Sequence, residues 1–211
     1  MKKSIVLDEV EECIDSDLLI LFGAVYKSYS KEEFIFKEGE QPHFYHQVHE
    51  GKVKMVNCCD AGKEFIQGFF VAGQSFGEPP LFFGKTYPAS AVAATACVVL
   101  RMHISTFKQL LKDNFTVHFK ITEMLAQRVC NKANLLKEIS VHNPAHRILS
   151  ILKNYKEENG GDYRNDGQMK IDITRQQIAN MSGLRVETVI RTMRHLHEEQ
   201  TITITKGKVF Y

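Results

Sequence analysis

The sequence predicts an α+β chain in three parts: an N-terminal antiparallel β-roll of the double-stranded jelly-roll type, one long helix, and a C-terminal winged helix-turn-helix. Three observations predict it. Short runs of β-branched and aromatic residues between Phe34 and Met102 are punctuated by Gly39, Gly51, Gly62, Gly73, Gly77 and Gly84, the spacing of a compact antiparallel sandwich or barrel. From Asn114 to Val141 the chain holds no Gly or Pro, as a long helix requires. The stretch Ile173 to Tyr211 then reads as two helices joined at a glycine and followed by an alternating hairpin. The boundaries that follow are 1–113 for the roll, 114–143 for the long helix and hinge, and 144–211 for the last domain.

Taken in order, Asp17 to Tyr26 has the leucine, isoleucine and alanine of a short helix leading into the roll. Strands are expected at Phe34–Phe36, Lys52–Val56, Phe65–Phe70 and Ala91–Leu100, and Ser105 is expected to cap a helix running through Leu111. In the long helix Thr122, Ala126, Val129, Ala133 and Leu136 recur at alternating spacings of four and three, a heptad seam. Such a stripe packs on its own sheet or on a second copy of itself, and the small residues permit two backbones to approach closely; a homodimer through 114–141 is expected.

Asn143-Pro144 marks the junction, because Asn caps a helix and Pro suits its first position. A helix over Ala145 to Glu157 follows, ending in the polar loop Glu158-Asn159-Gly160-Gly161-Asp162. Thr174 caps the next helix, Gly183 permits a turn, and Val186, Val189, Met193 and Leu196 give the following helix one apolar stripe. Its other face presents Arg185, Glu187, Thr188, Arg191 and Arg194. Arginine can hold guanine O6 and N7, and glutamate can accept from cytosine N4. Thr201 to Tyr211 alternates as a wing would, with Lys206 and Lys208 available for phosphates.

Composition is compatible with this. A chain of 211 residues, 44% hydrophobic, can bury one large core or two small ones. Its longest apolar stretches fall short of the roughly 20 residues that span a bilayer, so no membrane segment is expected. Acids at Asp8, Glu9, Glu11 and Glu12 interrupt the basic start before a signal-peptide core could form, and a cytoplasmic address is expected. The net charge of +2 is uneven: from Pro144 onward 11 Lys and Arg face 8 Asp and Glu, which favours an anionic partner at that end. The five cysteines, at 13, 58, 59, 97 and 130, form no C-x-x-C pair and read as free thiols. Cys58 and Cys59 would point to opposite faces of a strand, and whether Cys97 or Cys130 is packing or a thiol switch stays open.

Phe36-Lys37-Glu38-Gly39-Glu40, Val48-His49-Glu50-Gly51-Lys52-Val53, Phe76-Gly77-Glu78, and the strings Ile173-Thr174-Arg175-Gln176-Gln177-Ile178-Ala179 and Val186-Glu187-Thr188-Val189-Ile190-Arg191 occur here in order. Together they resemble the Crp/Fnr transcription regulators over essentially the whole chain. The resemblance implies double-stranded DNA as partner, a homodimer, a contact with RNA polymerase, and a sensory roll. It implies that Glu187 and Arg191 read a G·C pair and that Arg175 and Gln176 hold phosphates. Val186-Glu187-Thr188 is closer to the Fnr branch than to the cyclic-AMP receptors, which carry an arginine at the place of Val186. Ile190 departs from the serine of Fnr-like readers and can make only apolar contact, leaving the preference beside the G·C pair open.

For the sensor, the family's cyclic-AMP site has a glutamate, an Arg-Ser pair and a Thr-Ser pair. This chain keeps Gly77 and Glu78 but has Tyr87-Pro88 and Lys132-Ala133 at the other two places. Without the arginine a charge-assisted contact to the cyclic phosphate is lost, and cyclic AMP is not expected as a tight ligand. Gly77, Glu78, Tyr87 and Lys132 are the candidate contacts of an unidentified small-molecule effector; alternatively Glu78 is a turn residue satisfying backbone N–H groups, and Lys132 a solvated lysine. With Cys13 alone near the N-terminus, no iron–sulfur cluster is expected. His43, His46 and His49 suggest a metal or haem ligand, yet on a strand His46 faces away from His49, so strand and turn surface is the expectation. No hydrolase nucleophile elbow, zinc-protease helix or phosphate-cradling loop is recognised, and an enzyme is not expected.

Overall fold

The computed structural model describes residues 12–58, 64–141, 143–159, 163–164 and 167–211; of residues 135 and 138–141 only the backbone is described. Helix α1 (Ser16–Leu21) is capped by Asp15, whose side chain accepts from Leu18 N–H at 2.9 Å. The expected continuation to Tyr26 does not form: Gly23 turns the chain at φ +87° and Val25–Tyr29 is strand β1, where alternation with the sheet overrides the leucine-rich helical signal.

The roll continues with β2 (Phe34–Phe36), β3 (Phe44–Glu50), β4 (Lys52–Cys58), β5 (Glu64–Val71), β6 (Ser75–Phe76), helix α2 (Pro79–Phe83), β7 (Ser90–Ala93) and β8 (Cys97–His103). Two antiparallel sheets face each other, one in the order β1-β8-β3-β6 and the other β2-β7-β4-β5. The single strand expected over Ala91–Leu100 is two. Residues 94–96 turn the chain from one sheet to the other, a change that a continuous apolar run conceals. The β3–β4 hairpin is closed by Gly51 at φ +81°, where a Cβ would lie 2.7 Å from that of Cys97. Cys58 is exposed; Cys59, and with it the reading of that pair, lies outside the described residues.

Period-two alternation divides the strands between three cores. Val53 and Met55 of β4 point into the roll with Phe36, Val48, Phe76, Tyr87 and Val99. Tyr45, Leu100 and Met102 point out of the first sheet, under α1, helix α3 (Ile104–Asp113) and the start of helix α4 (Phe115–Val141). The cap of α3 is His103 and not Ser105: the imidazole Nδ1 accepts from Ser105 N–H at 3.3 Å, because the helix begins two residues earlier than expected. Asn114 starts α4, its Oδ1 accepting from Val117 N–H at 3.1 Å.

Helix α5 (Pro144–Asn159) follows, and Asn143 accepts from His146 N–H at 3.1 Å in the expected manner. Strand β9 (Lys170–Ile171), helices α6 (Arg175–Ser182) and α7 (Val186–Glu198), and strands β10 (Thr203–Thr205) and β11 (Lys208–Phe210) complete the chain, the strands forming a sheet in the order β10-β11-β9. Ile148, Ile151, Leu152, Val189, Met193 and Leu196 share one core with Val56, Ile66, Phe69 and Val92, which project outward from the second sheet of the roll. The C-terminal unit therefore rests on that sheet, and Lys52 Nζ donates to Tyr155 Oη across the contact at 3.0 Å.

Candidate nucleic-acid interface and sensor site

Helix α6 is fixed at its start by a reciprocal capping box. Thr174 Oγ1 accepts from Gln177 N–H at 3.1 Å, and Gln177 Oε1 accepts from Thr174 N–H at 2.8 Å. It ends at Gly183, in the left-handed region at φ +68°, and Arg185 begins α7. Val189, Met193 and Leu196 are buried, which rotates Glu187, Ile190, Arg191 and Arg194 outward on one line at spacings of three and four. Arg185 is exposed at the turn and Thr188 half-buried.

Arg175 lies at the first position of α6, and its guanidinium donates to the carbonyl of Gly207, tying that helix to the wing. Gln176 Nε2 donates to Asn180 Oδ1 at 2.9 Å. The wing turn is tight, with Lys206 at φ 49° and Gly207 at φ 78°, and it leaves Lys206 and Lys208 exposed. Beside the outward face, Arg191 and Arg194 line a cleft of about 520 Å³ with Asn143, Pro144 and Ala145 of the α4–α5 junction. The described geometry thus offers a solvent-facing helix that carries two outward arginines and is flanked by a basic turn, the arrangement that enters a major groove and grips the phosphates beside it.

In the roll, Gly77, Glu78 and Tyr87 come together. Gly77 has φ +74°, and a Cβ there would lie 2.7 Å from the Phe36 ring and 3.3 Å from that of Tyr87. Tyr87 is buried, stacked on Phe36 with ring centroids 3.7 Å apart and planes 9° from parallel. Burial, and then the nearby Glu78 and Glu40 carboxylates, push its phenol well above the usual range. Glu78 is 1% exposed and satisfies no backbone N–H at the start of α2. Both its oxygens accept from Arg128 Nη1 of α4 at 3.1 Å, while Arg128 Nη2 donates to the Ser75 carbonyl at 2.8 Å and the guanidinium lies 5.2 Å from the Phe70 ring centre. Arg128 escaped the sequence reading; its position one helical turn before Lys132 was the available signal.

Lys132 does not join this group. It is exposed and lines a cavity of about 870 Å³ between β5, α4 and α5, with Phe69, Asn131 and Tyr155. Of the three histidines, His49 and His46 do face opposite ways, but His46 is no surface residue. It is 4% exposed inside the roll, stacked on Phe76 at 5.4 Å, with its Nδ1 lacking a hydrogen-bond partner. Aromatic packing from Phe36 and Phe76 draws it in. Burial, then the charges of Arg101 and Lys27, lower its pKa to about 3. No group of metal-binding side chains occurs among the described residues.

One spelling was overlooked. Gly73-Gln74-Ser75-Phe76-Gly77 fits G-x-S-x-G, but Ser75 is fully buried on β6, with its hydroxyl 3.3 Å from both Cys13 Sγ and Met124 Sδ, and occupies no exposed strand-to-helix turn. Cys97 is buried and Cys130 exposed on α4. No helix among the described residues is long and apolar enough to cross a membrane.

Comparison with known proteins bears on both sites. The profile of the cyclic nucleotide-binding domain matches residues 26–114, and that of the Crp-like helix-turn-helix domain matches residues 145–210. The cAMP-activated global transcriptional regulator CRP of Haemophilus influenzae is 31% identical over 181 residues, 85% of this chain and 80% of that one. The chain belongs to the Crp/Fnr family. It is a DNA-binding transcription regulator of that type, as its relatives are transcription regulators. The transcriptional activator protein anr of Pseudomonas aeruginosa is 24% identical over 94% of this chain and 80% of its own. Among solved structures, the c-di-GMP-responsive global regulator CLP of Xanthomonas campestris superposes with a TM-score of 0.75 at 18% identity, covering 92% of this chain and 96% of that one. FixK2 of Bradyrhizobium japonicum gives 0.74 at 22%, covering 88% and 91%; these two likenesses show the fold. Regulators of this family dimerise and bind DNA.

Proposed function

We propose that two copies pair along α4 and set their α7 helices into successive major grooves of a palindromic site, with Glu187 and Arg191 on a G·C pair. The observation that carries this is the outward line on α7, whose buried stripe is fully engaged while Glu187, Arg191 and Arg194 face solvent. Arg175, Gln176, Lys206 and Lys208 hold phosphates, and Arg185 and Thr188 flank the base contacts. The division is 1–113 sensor, 114–143 pairing helix and hinge, 144–211 reader. RNA polymerase is the further protein partner, and the cytoplasm the setting.

An effector or redox change in the roll alters the packing of the paired helices, and the Asn143-Pro144 junction passes it on as a population shift. Gly77, Glu78, Tyr87 and Lys132 remain the effector candidates, of which Lys132 would act from the separate α4–α5 cavity. Cyclic AMP, which activates the Haemophilus relative, is not this chain's signal: Tyr87-Pro88 replaces the Arg-Ser pair in sequence, and the buried Tyr87 ring stacked on Phe36 brings no positive charge to a phosphate.

The test is selection from random duplexes by the purified protein, with and without cyclic AMP, alongside Arg191→Ala. A palindrome carrying a G·C step, the same in both conditions and weakened about 10- to 100-fold for the variant, is the expected result. Salt-sensitive, sequence-blind binding by the wild type would refute the reading.

A further inference from the structure

The outward line of α7 contains one side chain that its charges do not explain. Ile190 is 46% exposed between Glu187, three residues before it, and Arg194, four after it, and it adjoins Arg191. The isoleucines of the C-terminal core, Ile148, Ile151, Ile171, Ile173, Ile178 and Ile202, are by contrast buried. A β-branched side chain on a helix is held in one dominant rotamer, so Ile190 presents a stiff apolar surface at the middle of the reading face. The one bulky apolar group that base pairs present in the major groove is the C5-methyl of thymine.

We propose that Ile190 is a specificity-determining residue that selects thymine by packing on its C5-methyl, beside the base pair taken by Glu187 and Arg191. The inference rests on the reading face assigned above and adds to it the base that an uncharged contact favours. Selection has two parts. Thymine gains burial of its methyl group against the isoleucine. Cytosine at the same place would have its N4 donor stripped of water with no acceptor supplied, and guanine or adenine would likewise lose solvation at N7.

Replacing thymine by deoxyuridine removes the methyl and leaves every hydrogen-bonding group in place. Full-length protein is titrated with the wild-type consensus duplex, in which thymines are exchanged one position at a time in both half-sites. At one thymine adjoining the G·C pair the exchange is expected to weaken binding about fourfold per half-site, roughly fifteenfold in all, as burial of one methyl implies. Ile190→Ala, a solvent-facing change checked by its unaltered melting temperature, is expected to bind thymine and deoxyuridine duplexes equally. Equal binding of both duplexes by the wild type overturns the inference, and so does discrimination that persists in Ile190→Ala, or a consensus without thymine beside the G·C pair. In those cases the reading face stands as long as Arg191→Ala still weakens binding to the selected palindrome about 10- to 100-fold. Failure to select any consensus overturns the reading face and this inference together.

Discussion

Arg128 joins the roll to the pairing helix through a carboxylate 50 residues away in sequence. Removing one partner of a buried ion pair leaves the other charged without water, at a cost of about 3–5 kcal/mol. Arg128→Ala is therefore expected to destabilise the protein by roughly 3 kcal/mol, read from its denaturant midpoint. Adding Glu78→Gln to that variant is expected to recover part of the loss, since no unpaired charge then remains; no recovery would show that the arginine acts through packing on Phe70 alone. His46 makes a second residue-level prediction. With its pKa lowered to about 3 in the folded state and about 6.5 when unfolded, the unfolded chain binds the extra proton between those values. Stability falls as pH drops below 6.5, by up to about 1.4 kcal/mol per pH unit for this group, and His46→Phe should flatten that part of the profile. Gly77 and Glu78 were legible because their string is local. Arg128 and buried His46 were not, because a partner chosen by the fold across many residues leaves no trace in spacing.

At the scale of elements, α4 carries an apolar seam that nothing among the described residues covers. Val129 and Leu136 are each 67% exposed, and the neighbouring seam residues Ala126 and Ala133 are exposed as well. Phe115 and Phe119 extend the same alternation one heptad earlier, their ring centroids 6.1 Å apart. A lysine in the middle of such a seam places two like charges in a desolvated contact. Val129→Lys is expected to give a monomer by sedimentation at micromolar concentration, with specific DNA binding weakened at least tenfold; a dimer of unchanged mass would remove α4 from the interface. Long periodic elements were read well from sequence: the long helix from 114 to 141, the capped α6 and the stripe of α7 all form as expected. The misreadings fell where competing local signals met, at Tyr26, where a helical composition yields to strand pairing with Leu100, and across 94–96, where one apolar run crosses between sheets.

Over the whole molecule, the reader is not tethered by its hinge alone. Its core continues into Val56, Ile66, Phe69 and Val92 on the outer face of the second sheet, and Phe69 meets Tyr155 edge to face at 6.5 Å. A shift of that sheet or of α4 reaches α5 and α6 through packed side chains, which is how a change in the roll can bias the reading heads. No sequence pattern announced this contact, because outward apolar residues on a strand are indistinguishable from inward ones until both faces are seen. These levels meet in the proposed arrangement, in which a symmetric pair presents two reading helices to half-sites one helical turn apart. Its most direct test is the affinity for the selected palindrome against the same half-sites separated by five further base pairs, which turns one of them to the opposite side of the duplex. The paired arrangement predicts that this spacing lowers affinity to the level of unrelated duplex, about a thousandfold or more. Equal affinity for the two duplexes would mean that each chain reads DNA alone, and would contradict it.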